Sequence, residues 1–254
     1  MFTEFFRFDL RYQLRQPLLW IVASVLALLA FLSAGTGIRL GGAIGNTFMN
    51  APVVVANQLG ILSMAALFLV TALVAGAVLR DNDSGIADLL YATPMRKRDY
   101  LGGRFLAGFA ACVLVFVLAT LAMAAGAAMP WVDPARVGPF SAATYAWSLL
   151  VLVLPNLLFV AAFLMLLAAT TRSLVAVYVG VLAFVTLWAG AGLAGGSDAS
   201  LALLLDPFAL RALAQATRYY TGAERNTQLP ALTGMLLANR VLWSVLALAM
   251  LGAT

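Results

Sequence analysis

Long apolar runs alternate with short polar breaks along the whole chain, and the run lengths decide its class. The apolar blocks cover about 17–34, 52–79, 101–128, 143–169, 173–194 and 232–254. A helix crosses a bilayer in about 20 predominantly apolar residues. Hydrocarbon offers no water to unpaired backbone groups, so such segments span as helices. The pattern predicts an all-α polytopic membrane protein with six transmembrane helices in a single domain, residues 1–254.

The breaks carry their own pattern. Residues 1–16 predict an interfacial helix. At 100° per residue Glu4, Arg7, Arg11 and Arg15 share one face and Phe2, Phe5, Phe6 and Tyr12 the opposite one, with Asp9, Gln13 and Gln16 intruding. The second block, about 28 residues, exceeds what a span needs and implies tilt or projection. Asn57 and Gln58 near its outer end either face a substrate path or sit among lipid headgroups, the latter being the favoured reading. The third block carries Gly103, Ala107 and Ala111, small residues at a spacing that permits close helix contact. Pro155-Asn156 in the fourth predicts a kink whose freed carbonyl Asn156 satisfies, or else a polar spot facing a substrate. Thr170-Thr171-Arg172 predicts a tight turn into the fifth block. In the long loop 195–230, Asp206-Pro207 reads as a helix start, a capping Asp with Pro at the first helical position.

Arg240 is expected at the membrane interface, because an arginine at mid-membrane is costly. Only about 21 Å of helix then follows it, against about 30 Å of hydrocarbon. Either the last helix begins earlier, near Leu232, or the chain is a fragment that stops inside its sixth span.

Charge sets an orientation. With alternating spans, one side carries Arg7, Arg11, Arg15, Arg80, Arg96, Lys97, Arg98, Arg104 and Arg172 on short segments. The other carries Arg39, Arg136, Arg211, Arg218, Arg225 and Arg240 over much longer loops. The positive-inside rule puts the N-terminus and the 80–104 loop in the cytoplasm. Trp131, Trp147 and Trp188 then fall at the outer interface. The basic residues form no continuous face, so nucleic acid is not an expected partner.

Composition removes most catalytic chemistry. There is no histidine, and one cysteine, Cys112, lies inside an apolar block. No catalytic, metal or cofactor residues are assigned. The one lysine, Lys97, lies outside any P-loop pattern, so ATP is not bound that way. With Arg104 counted in its loop, no charged residue falls within the first five spans, which disfavours an ion-coupled carrier. Energy for any transport must arrive through a cytoplasmic contact.

The 80–104 loop is the longest cytoplasmic connection. Ile86, Leu89 and Leu90 make an apolar edge at helical spacing, Asp83-Ser84 offers a cap, and Thr93-Pro94 ends the segment. One or two helical turns are not stable alone in water. Either the bilayer, with Arg96, Lys97 and Arg98 on anionic headgroups, or the groove of a cytoplasmic ATPase would hold them. The residues alone favour neither.

Ser84-Gly85-Ile86-Ala87-Asp88-Leu89-Leu90, Thr93-Pro94-Met95 and Arg98-Asp99-Tyr100-Leu101-Gly102-Gly103-Arg104 resemble the intracellular loop of ABC-2 type exporter permeases. The amphipathic start resembles their elbow helix. The string Asp206-Pro207-Phe208, Tyr220-Thr221, Glu224 to Thr227, Asn239-Arg240 and Trp243 resembles a narrower bacterial subgroup whose chains continue into M1-type aminopeptidase domains. Their His-Glu-x-x-His signature is absent here, so no peptidase activity is assigned.

The resemblance implies a permease subunit of a type V-like exporter in the bacterial inner membrane. It implies a second permease domain, in a homo- or heterodimer, and a separate ABC ATPase subunit that carries the ATP and Mg. It makes the loop a cytoplasmic coupling helix, with Ile86, Asp88, Leu89, Leu90, Tyr91, Arg96, Lys97 and Arg98 as docking residues. A substrate path between spans two and five of the pair would be lined by Ser63, Thr71, Tyr178 and Thr186, with Asn156 as a further polar position. The alternative is a non-transporting membrane scaffold for an extracytoplasmic domain.

Overall fold

The computed structural model describes residues 1–41, 46–77, 79, 96–194 and 199–254. Every regular element among them is helical: α1 (Phe2–Leu14), α2 (Pro17–Gly35), α3 (Pro52–Ala75), α4 (Lys97–Ala127), α5 (Ala142–Thr171), α6 (Leu174–Ala194), α7 (Ala199–Leu204), α8 (Leu210–Ala216), α9 (Gly222–Thr227) and α10 (Gly234–Ala253). Short 3₁₀ turns add Ser63–Ala65 within α3 and Pro134–Arg136 between α4 and α5. Five helices, α2, α3, α4, α5 and α10, are long and apolar enough to cross a membrane. The chain is a multi-pass membrane protein of helices alone among the described residues. α6 is equally apolar over Leu174–Gly190.

The helices sort by how much of each is covered. α3 is the most enclosed, wrapped by α4, α5 and the short helices. α6 and α10 lie outside it and keep much of their apolar surface exposed, including Val175, Val179 and Leu182 on α6. α2 lies along α4. Their closest approach is at Gly126, where a Cβ would stand 2.3 Å from the Phe31 carbonyl oxygen, so only glycine fits. The same logic applies where α1 crosses α4. A Cβ on Gly103 would meet the Phe5 side chain at 2.9 Å and the Phe2 carbonyl at 3.0 Å. Ala107 and Ala111 continue that face and are fully buried.

Two spans contain a wide π turn, Thr71–Ala75 in α3 and Ser148–Val153 in α5. The second lies immediately before Pro155. Proline lacks the N–H that an α turn would use, and the extra residue of a π turn accommodates the gap. The α5–α6 connection is as tight as predicted: Arg172 takes the left-handed conformation at φ 50° and its N–H bonds the Ala168 carbonyl.

Several boundaries move. α4 begins at Lys97 rather than near Leu101, so Arg98 to Arg104 form its first two turns. The helix after Asp206 starts at Leu210, not at Pro207. The stretch Glu224 to Thr227 belongs to α9. Its Thr221 hydroxyl accepts from the Glu224 N–H while the Glu224 carboxylate accepts from the Thr221 N–H, a capping box. The Thr221 N–H and the Thr221 hydroxyl both donate to the Glu224 carboxylate, at 2.7 and 2.8 Å, and hold its pKa below the ordinary value.

Candidate functional site

Polar groups inside the bundle collect at two places. One lies where α1 meets α3 and α4. The other lies at the opposite end, under a cap made by α7, α8 and the turn Leu205 to Ala209.

α1 positions the first cluster. Asp9 and Gln13 fall at the centre of its aromatic face, with Phe5 and Phe6 beside them, and both are fully buried. Their intrusion into an otherwise apolar face is therefore a contact with protein. The Asp9 carboxylate pairs with Arg104 Nε at 3.2 Å. The Arg104 guanidinium also donates to the Ala77 carbonyl near the end of the second span, and it stacks on the Tyr100 ring at 4.7 Å. Phe5 meets that ring edge-on at 5.4 Å. Gln13 Nε2 donates to the Leu73 carbonyl at 3.1 Å, inside the π turn of α3. Arg7, Arg11 and Arg15 stay on the exposed face. α1 is thus fixed to the last described turns before residues 80–95 and to the first turns after them.

The second cluster centres on Arg240 of α10. Arg240 is 5% exposed, enclosed by protein rather than open to headgroups or water. Three acceptors hold it: Asn156 Oδ1 at 2.7 Å, the Pro207 carbonyl at 3.0 Å and Asn239 Oδ1 at 2.5 Å. Asn156 in turn donates to Ser63 Oγ at 2.7 Å and to the Phe208 carbonyl at 3.4 Å. Asn239 Nδ2 donates to the carbonyls of Leu203 and Asp206, at 2.7 and 2.8 Å.

Asp206 is buried and accepts from Trp188 Nε1 at 3.0 Å, the Phe208 N–H at 3.2 Å and the Arg211 N–H at 2.8 Å. It organises the turn before α8 rather than capping a helix at Pro207. That turn ends at Ala209, fully buried with φ 56°, a left-handed conformation that carries strain in any residue with a Cβ. Trp188 therefore bonds the cap rather than interfacial water, and Trp243 Nε1 bonds the Leu204 carbonyl at 2.8 Å. The result is an irregular segment held between α3, α5, α6 and α10 by side chains that satisfy its backbone.

The loops at the same end are knitted together. Asn50 exchanges two hydrogen bonds with the Gly138 backbone, at 2.7 and 2.8 Å, and Asn226 Oδ1 accepts from the Phe48 N–H at 2.8 Å. Arg39 donates to Thr47, and partial burial together with the nearby Arg136 lowers its pKa.

The sequence-derived positions distribute as follows. Ser63 and Asn156 meet in the Arg240 cluster. Asn156 binds this cluster instead of a carbonyl freed by Pro155, and it is fully enclosed. Thr71 is buried and donates to its own helix at the Leu67 carbonyl. Tyr178 and Thr186 lie on the exposed side of α6, apart from the other three. Gln58 points into the bundle, 2% exposed. Arg96, at the N-cap of α4, and Arg98 are exposed. Lys97 begins that helix. Ile86, Asp88, Leu89, Leu90 and Tyr91 lie outside the described residues. The described residues include no grouping of three or more His, Cys, Asp or Glu that would hold a metal ion.

Sequence reasoning missed Arg104 and Arg240 as buried centres. The available signal was pairing. Asp9 at the heart of an apolar face needs a cation, and Asn239-Arg240 beside a helix bearing Asn156 offers a fork and its acceptor.

A comparison with curated proteins finds no match. A family model described as "ABC-2 family transporter protein" matches residues 5–251, from α1 through α10. On a match of that extent, over a bundle of membrane-spanning helices, the chain belongs to the ABC-2 transporter family.

Proposed function

We propose that this chain is the permease subunit of an ATP-binding-cassette exporter of the bacterial inner membrane. A separate cytoplasmic ATPase subunit binds ATP and Mg, and two permease domains pair to form the substrate path. The observation that carries this reading is the family match across the whole bundle. The excess of basic residues on the short segments 1–16, 80–104 and 170–172 supports a cytoplasmic N-terminus.

In this reading the loop 80–104 is where the ATPase grips. Ile86, Leu89, Leu90 and Tyr91 form the docking edge, and Asp88 with Arg96, Lys97 and Arg98 guides it. The geometry around the loop fits a mechanical role. Asp9–Arg104, Arg104 to the Ala77 carbonyl and Gln13 to the Leu73 carbonyl fasten α1 to both of its flanks. Force applied to the loop would reach α1, α3 and α4 together. The exposed α6 face, with Tyr178 and Thr186, is the surface available for the second permease domain. The outer string from Asp206 to Trp243 supports the narrower subgroup resemblance.

Co-purification from membranes with the cognate ATPase, comparing wild type with Leu89→Arg, tests the proposal. Association lost in the variant, with the protein still membrane-inserted, is the expected result. Unchanged association would remove the docking assignment. Absence of any ATPase partner would favour the scaffold reading.

A further inference from the structure

The two faces of α1 have different partners. Its aromatic face, with Asp9 and Gln13 at the centre, packs on α3 and α4 and is not free to enter acyl chains. The outward face carries Arg7, Arg11 and Arg15 at i, i+4 and i+8, all exposed. None of the three guanidinium groups makes an ion pair or hydrogen bond among the described residues. Glu4 is the only acid on this face, at one end of it, and it pairs with none of them. Half-buried Leu10 and Leu14 run along one edge of the arginines, and the five residues line an open cleft of about 490 Å³.

Position along the bundle decides what this face meets. α1 touches α4 at Gly102 to Arg104 and α3 at Leu73, while α4 continues past that contact to Lys97. α1 therefore lies beside these helices, not beneath them, and its outward face looks sideways. Its last turn leads straight into Pro17, where the α2 span opens. Trp20, in the first turns of α2 and 47% exposed, donates to the Leu14 carbonyl at 2.8 Å. Exposed tryptophan at the end of a span sits at headgroup level. The arginines lie at the same level, where lipid phosphates are.

We propose that the outward face of α1 binds an anionic glycerophospholipid, with the lipid phosphate between the guanidinium groups of Arg7, Arg11 and Arg15 and an acyl chain over Leu10 and Leu14. Charge complementarity selects this occupant. Three unpaired cations along about 12 Å of helix, beside an apolar edge, match a molecule that carries its negative charge next to hydrocarbon. A soluble anion would leave the leucines uncovered. A zwitterionic headgroup would bring its own cation to the arginines.

Native mass spectrometry of the full chain tests this, with dioleoyl phosphatidylglycerol and dioleoyl phosphatidylcholine as competing probes. Wild type should favour phosphatidylglycerol by more than about tenfold, and Arg11→Gln should lower that preference about fivefold, the worth of one basic residue at an anionic surface. The triple variant Arg7→Gln, Arg11→Gln, Arg15→Gln should retain both lipids equally, with its unfolding temperature in detergent unchanged because all three side chains are exposed. Glu4→Gln should raise the preference. Arg136→Gln with Arg218→Gln removes two exposed charges at the opposite end and should leave the preference as in wild type. Equal retention of the two probes by wild type would overturn the proposal, as would a preference surviving in the triple variant. A loss in the Arg136 and Arg218 variant as large as in Arg11→Gln would reduce the effect to net charge and overturn it too. So would a triple variant that loses a co-purifying ATPase while keeping its lipid preference, which would assign the face to an acidic protein surface.

Discussion

Two arginines are buried among the described residues, and they are held in different company. Arg104, beside α1, faces a carboxylate: Asp9 pairs with it, and the Ala77 carbonyl and the Tyr100 ring also contact it. Arg240, under the cap, is held by neutral oxygens of Asn156, Asn239 and Pro207. The nearby Asp206 carboxylate acts on it electrostatically while bonding Trp188 and two backbone N–H groups. The first arrangement centres on an ion pair between two buried, opposite charges. The second is a scaffold, in which the guanidinium fork satisfies the backbone of an irregular segment inside the bundle. Non-helical backbone is tolerated at such depth only where protein satisfies it.

This difference orders the expected losses. Removing one member of the Asp9–Arg104 pair should cost most. Asp9→Ala or Arg104→Ala is expected to destabilise by about 3–5 kcal/mol, read from denaturant unfolding in detergent. The double replacement Asp9→Leu with Arg104→Met should cost less than the sum, because the two side chains are in direct contact and their mutual interaction is lost only once. Additive losses would show that the two side chains are not a pair.

Arg240→Met leaves three neutral acceptors unpaired and takes away the cation near the Asp206 carboxylate, which keeps its three hydrogen bonds, so about 1–3 kcal/mol is expected in the same assay. Arg240→Lys should recover little of that, since a single ammonium cannot reproduce a planar fork reaching three oxygens. Full rescue by lysine would mean that charge alone matters there. Gln13→Leu removes one hydrogen bond to the Leu73 carbonyl and should cost about 1 kcal/mol. The smallest effect belongs to Ala209→Gly. Relief of the left-handed strain is offset by the greater freedom of glycine in the unfolded chain, leaving a change under about 1 kcal/mol. Ala209→Val should instead destabilise clearly.

Much of this was legible because run length and period are local properties. Pro17 and Pro52 each open a helix where their missing N–H is harmless, and the apolar runs behind them are long enough to read without ambiguity. The tight turn at Arg172 announced itself by lack of room. The polar clusters were not legible in this way, because each joins residues far apart in the chain. Asp9 meets Arg104, and Asn156 meets Ser63 and Arg240. On a helical wheel Asp9 and Gln13 were imperfections of an amphipathic face, and only the presence of α4 turns them into contacts. The cost of charge in hydrocarbon pointed to a depth for Arg240 but not to its partners. Its actual surroundings are protein oxygens, which remove that cost. Asp206 carried a correct polar signal with the wrong consequence. Its carboxylate stabilises a turn, and the helix begins only at Leu210.

The central claim is that separate polar devices fasten the two ends of the bundle, Asp9–Arg104 for α1 and Arg240 for the cap. Hydrogen–deuterium exchange of the full chain in lipid nanodiscs addresses it most directly, comparing wild type, Asp9→Ala and Arg240→Met. In Asp9→Ala, exchange should quicken in α1 and the first turns of α4, with α7 and α8 unchanged. In Arg240→Met it should quicken across α7, the Asp206 turn and α8, with α1 unchanged. Deprotection spread over both ends in either variant would contradict the claim.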